Sequence, residues 1–173
     1  RHNGCSDNFK SDIKDAFQAS FSAYRVFDNQ IVAIGNDEQV DAFVAAIAAT
    51  ETASADGARK HLINAGQKLK ATEWSDSVRE SIHAVEAVAK FIEPSEETLG
   101  PALDKIARTR HLHPAMKGAF QKLYGYTSDE NGIRHASVFD PKAKVDETDA
   151  LFMLGACASF VSYLLARHRQ AAK

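Results

Sequence analysis

Arg134 and His135 close the run Leu123-Tyr124-Gly125-Tyr126-Thr127-Ser128-Asp129-Glu130-Asn131-Gly132-Ile133-Arg134-His135, where a permanent cation stands beside an imidazole able to exchange protons near neutral pH. Such a pair suits phosphate chemistry. His135 has the character of a general acid or base, and Arg134 could stabilise charge developing on a phosphorane-like centre. Tyr126 and Ser128 add an aromatic face and a hydroxyl in the same stretch, which makes them candidate ligand-binding residues. Adjacent side chains do not converge by themselves: they point to opposite faces of an extended segment and diverge by about 100° on a helix. Two copies facing each other across a symmetric dimer would solve this, pairing the arginine of one subunit with the histidine of the other. The competing reading is structural, a turn between helices whose arginine pairs with a core carboxylate.

Glu86 is the natural carboxylate for that pairing. It lies one turn beyond Ile82, beside an apolar stripe, so part of its side chain is expected to face inward and to need a cation. Arg134 fits because guanidinium binds carboxylate through two hydrogen bonds, and Arg79 and His83 on the same helix carry further donors. In the functional version, Glu86 orients Arg134 toward a phosphate. The basic cluster Arg108-Thr109-Arg110-His111-Leu112-His113 sits at a helix end, where cations complement the helix dipole. His111 and His113 have no Asp, Glu or Cys at a metal-site spacing, so neither a metal nor another cofactor is expected. The sequence carries no glycine-rich phosphate loop, nucleophile elbow or His-Glu-x-x-His pattern.

With 173 residues the chain is long enough for one ordinary domain with a sizeable core. Its two cysteines, Cys5 and Cys157, give no disulfide framework, which points to a reducing, cytoplasmic setting. The polar start without methionine and without a signal-peptide pattern suggests a piece or processed form of a longer protein, with an effector domain elsewhere. A net charge of −2 excludes a generic polyanion binder. Residues 1–100 hold ten cations and sixteen anions, whereas residues 101–173 hold eleven and seven, so only the second part could assist an RNA or phosphate-bearing ligand.

Helical periodicity positions these residues. A first helix over 7–22 carries Phe9, Ile13, Ala16, Phe17 and Ser20 on one stripe. Tyr24 to Phe27 and Gln30 to Ile34 flank the turn pair Asp28-Asn29 and predict a β-hairpin. Asn36 can cap a helix over 37–50, a small polar break comes at 51–57, and a helix is expected over 58–71. Ser75 or Asp76 then caps a helix whose stripe is Val78, Ile82, Val85, Ala89 and Ile92, ended by Pro94. Thr98 is the expected cap of a helix over 99–108, and Pro114 opens another to about residue 124. The last helix, 147–167, places Ala150, Leu154, Cys157, Val161 and Leu164 on a continuous stripe. Its uncharged stretch is short for a bilayer and rich in small residues, so we read it as a core helix, or one that also feeds a dimer interface, and expect no membrane association.

Residues 76–86, beginning Asp76-Ser77-Val78-Arg79-Glu80-Ser81-Ile82 and continuing through Ala84-Val85-Glu86, resemble the first central helix of the abortive-infection C-terminal family. This family is a branch of the HEPN-like helical domains of bacterial phage-defence and toxin systems. The segment Leu123 to Asp129 followed by Gly132-Ile133-Arg134-His135-Ala136 resembles its signature loop, and the closing apolar helix is similar too. The resemblance implies an all-α fold, a HEPN-like bundle of about six helices, to which the residues from Tyr24 to Ile34 add a small N-terminal β-hairpin. Residues 1–55 would pack onto the HEPN-like domain, 56–173. It further implies a homodimer and, as in many relatives, metal-independent RNA cleavage by an arginine, an adjacent polar residue and a histidine four to six positions after the arginine. Arg134 and His135 match the first two positions, while the window for the third, which includes Phe139 and Asp140, holds no histidine. The alternative is a non-catalytic dimerisation or ligand-binding regulatory module of a larger defence protein.

Overall fold

The stripe Val78, Ile82, Val85, Ala89 and Ile92 is buried along its whole length, and the other helices assemble around it. A computed structural model of the protein describes residues 3–19, 24–27, 29–35, 37–128 and 145–171. Their order is α1 (Asn3–Ala19), β1 (Tyr24–Phe27), β2 (Gln30–Ala33), α2 (Asp37–Ala53), α3 (Asp56–Lys70), α4 (Trp74–Ile92), α5 (Leu99–Thr109), α6 (Pro114–Ser128) and α7 (Glu147–Ala171). The fold is all-α with a small antiparallel N-terminal hairpin, and the described residues contain seven helices.

The hairpin pairs Tyr24 with Ala33 and Phe27 with Gln30. Asn29 has φ 64°, a left-handed conformation that asparagine tolerates in tight turns. The hairpin docks on α3 at Gly66, where a Cβ would lie 2.8 Å from Val32 Cβ and 3.2 Å from the Ala33 carbonyl oxygen. Helix α1 differs from its expected amphipathic role. It begins at Asn3, its main contact is with β1, and Phe9 is 63% exposed, because a four-residue strand is too narrow to cover the whole stripe.

The break expected at 51–57 is shorter. Helix α2 continues to Ala53, helped by the Thr52 hydroxyl donating to the Ala48 carbonyl at 2.8 Å, and the reversal is made at Ser54 with φ 56°. Helix α4 starts one residue before its expected cap. Glu73 occupies the cap position without a side-chain cap bond, while its carboxylate pairs with Lys68 and its amide donates to the Lys68 carbonyl at 2.9 Å. The result is a closed turn between α3 and α4.

Helix α4 packs most extensively on α3 and α7. The buried Ser77 hydroxyl donates to the Ala65 carbonyl at 2.9 Å, and Glu80 meets His61, so the two helices run antiparallel. Helix α7 buries Ala150, Leu154, Cys157, Val161 and Leu164 completely. Gln39 of α2 donates its side-chain amide to the Leu151 carbonyl at 3.2 Å, tying α2 to the same helix. Helix α7 is apolar and long enough to cross a membrane, yet 50% of its apolar window is buried, and it packs on α2, α3 and α4 as a core helix. Helix α6 runs beyond its expected end near Tyr124 to Ser128, and its Phe120, Leu123 and Tyr124 pack against the core. Residues 123–128 are therefore helix, and the expectation of a loop there is corrected.

Candidate functional site

Glu80, His83 and Glu86 recur at three-residue intervals on α4, a spacing that brings successive side chains onto one face of a helix. That face looks toward α3 and toward the turn between α4 and α5. His61 reaches across from α3, and its Nδ1 lies 2.8 Å from Glu80 Oε2. Asn64 donates to the same carboxylate oxygen at 3.4 Å. The His61 and His83 rings meet edge to face with centroids 5.3 Å apart. Two imidazoles and a carboxylate thus converge from neighbouring helices.

Beside them opens a cavity of about 440 Å³ whose lining includes His61, His83, Glu86, Lys90, Glu97 and Tyr124. Glu86 is half-buried here, as its place beside the apolar stripe suggested, and among the described residues it has no hydrogen-bond or ion-pair partner. Arg79, one of the donors considered for it, pairs instead with Asp76 at 2.7 Å, one turn earlier on α4. Arg134 and His135 lie outside the described residues. Tyr126 and Ser128 belong to the last turn of α6, but their side chains also lie outside the described set. What the fold brings together is Glu86 from α4 and Tyr124 from the start of the Leu123 to His135 run.

The basic cluster has a different use. Arg110 reaches Glu93 at 3.3 Å, and Lys105 reaches the other oxygen of that carboxylate at 3.1 Å. Leu112 is buried, and His113 Nδ1 accepts a hydrogen bond from the Ala115 amide at 3.1 Å, satisfying one of the open amides at the start of α6. These residues cap and join helices. Burial lowers the proton affinity of His168 near this junction, and the positive Arg110 lowers it further against the opposing effect of Glu93. Its ring meets Phe91 edge to face at 6.0 Å.

No family model, curated protein or solved structure matches the chain. Sequence reasoning found Glu86 and named His83, but it missed His61 and Glu80 as partners. Half of the signal was readable, because Glu80-Ser81-Ile82-His83 places an acid and an imidazole one turn apart. The other half needed the packing of α3.

Proposed function

We propose that the chain is a HEPN-like helical module of a bacterial defence or toxin-type protein, and that the cleft over Glu86 is its ligand-binding site for RNA or a nucleotide. The observation that carries this reading is the common cleft of Glu86 and Tyr124, two residues contributed by the segments that resemble the abortive-infection C-terminal family. A carboxylate can accept hydrogen bonds from base amino groups or ribose hydroxyls, and a tyrosine offers a ring for stacking. The described lining is not a phosphate cradle. Glu86, Glu96 and Glu97 line the cavity with Lys90, and Lys105 approaches Glu96 at 3.6 Å, so the carboxylates outnumber the nearby cations. The phosphate in this reading falls to Arg134 and His135.

That charge balance favours a binding or regulatory module over a nuclease. Metal-independent cleavage, with His135 activating a ribose hydroxyl and Arg134 stabilising the phosphate, is the catalytic version of the same reading. A homodimer is part of the proposal, supported by Phe152, which projects from α7 with 57% exposure. A cytoplasmic setting agrees with the unpaired, buried thiol of Cys157.

The test incubates the protein and its Arg134→Ala/His135→Ala variant with mixed RNA in chelator, following fragment ends, and measures RNA and nucleotide binding in parallel. Cleavage by the parent alone assigns the nuclease. Binding without cleavage, weakened about tenfold by Glu86→Ala through loss of a charged hydrogen-bond acceptor, assigns the binding module. Neither cleavage nor binding overturns both.

A further inference from the structure

The geometry points to a divalent transition-metal site of the zinc class formed by His61, Glu80 and His83 at the edge of the Glu86 cavity. One donor atom from each residue can be chosen so that all three lie within 4.8 Å of one another, and all three residues are partly buried. A tetrahedral zinc site with ligands about 2.0–2.2 Å from the ion needs donors roughly 3.4 Å apart, a separation small side-chain rotations can reach from this arrangement. The contact between His61 and Glu80, at 2.8 Å, would open by roughly half an ångström to admit the ion.

The donor types fit the assignment. Two imidazoles and one carboxylate suit borderline divalent ions better than hard calcium or magnesium, and zinc has no geometric preference from d electrons to oppose the arrangement. Glu-x-x-His is also a spacing by which helical bundles direct an acid and an imidazole to a common metal. Here Glu80 and His83 provide it, and antiparallel α3 supplies the second imidazole. Asn64, donating to Glu80 Oε2 at 3.4 Å, is the outer partner that holds the carboxylate. Three protein donors leave room for a fourth from the cavity, where His61 and His83 form part of the wall and Glu86 lies one turn along α4.

A simple interhelical hydrogen bond accounts for His61 and Glu80 but not for His83, whose ring is brought beside His61. The metal reading accounts for all three. It does not depend on the nucleotide proposal: His61 and His83 share the cavity wall with Glu86, but metal binding is read by a different signal.

Cobalt provides that signal. Metal-free protein, the full chain, is titrated with Co²⁺ while visible absorption is followed, and Zn²⁺ is then added in competition. One equivalent per chain is expected to give a saturable visible band that Zn²⁺ abolishes. His83→Ala and Glu80→Gln should each weaken Co²⁺ binding by more than the roughly 10- to 100-fold typical of an outer-shell substitution, and Asn64→Ala should fall within that range. His111→Ala serves as the surface-histidine control and should leave binding unchanged. Should His61→Ala fail to fold, His83→Ala still decides, because circular dichroism and the cobalt band report separately on folding and binding. No saturable band, or a band that persists in a folded His83→Ala variant, overturns the assignment. RNA cleavage in chelator would leave this result untouched, and loss of the cobalt band would leave the RNA result untouched.

Discussion

Two carboxylates near α4 have opposite surroundings. Glu93, just beyond the end of the helix, is 7% exposed and held between Lys105 and Arg110. Glu86, two turns earlier, lines an open cavity with no hydrogen-bond or ion-pair partner among the described residues. A buried carboxylate with two cations is committed to the fold, because removing either side leaves charge uncompensated away from water. A carboxylate facing a cavity keeps its acceptor capacity for something else. The difference separates the charges that build this protein from those that can meet a ligand.

The largest expected effect tests that contrast directly. Glu93→Ala should lower unfolding free energy by about 3 kcal/mol because Arg110 and Lys105 lose their common partner, whereas Glu86→Ala should stay within about 0.5 kcal/mol. Chemical denaturation of both variants measures the gap. Equal losses would mean that Glu86 also serves the fold.

A smaller effect should appear with pH. The folded protein holds His168 with its proton affinity below the ordinary value of 6.5, so the unfolded chain takes up the proton first as pH falls. Stability should therefore decline below about pH 6.5 until the folded imidazole also titrates, then lose this source of pH dependence. Thermal melts of the parent and His168→Gln across that range check the sign, and the variant should lack this component. A parent that gains stability on acidification through this window would contradict the burial argument.

The smallest response is expected at Cys157. Burial pushes its thiol pKa up to about 12, leaving almost no thiolate near neutral pH. In a Cys5→Ser background, alkylation should follow global unfolding rather than reagent concentration, as mass spectrometry over time would reveal. Rapid native labelling would mean that the α7 core opens locally.

Much of this architecture was readable in the chain. The α4 stripe, the β-strand and turn residues from Tyr24 to Ile34, and the apolar spacing in α7 all announced their elements, since local periodicity and turn chemistry were enough. The extent of helices was harder. Glu51, Thr52 and Ala53 have the composition of a break yet continue α2, and α6 continues past Tyr124 to Ser128 although Gly125, Thr127 and Ser128 are weak helix formers. The site was legible only one side at a time. Glu86 could be placed from its own helix, but His61 and Glu80 are nineteen residues apart and meet only after two helices fold back on each other.

The turn that folds them back has a consequence of its own. Only Ala71, Thr72 and Glu73 separate α3 from α4, with Thr72 at φ 61°. So short a connector works as a phase setting: each residue added to a helix rotates the next element by about 100° and advances it by about 1.5 Å. The partnership of His61 with Glu80 and His83 is therefore encoded partly in a count, the number of residues the chain spends before it starts to climb again.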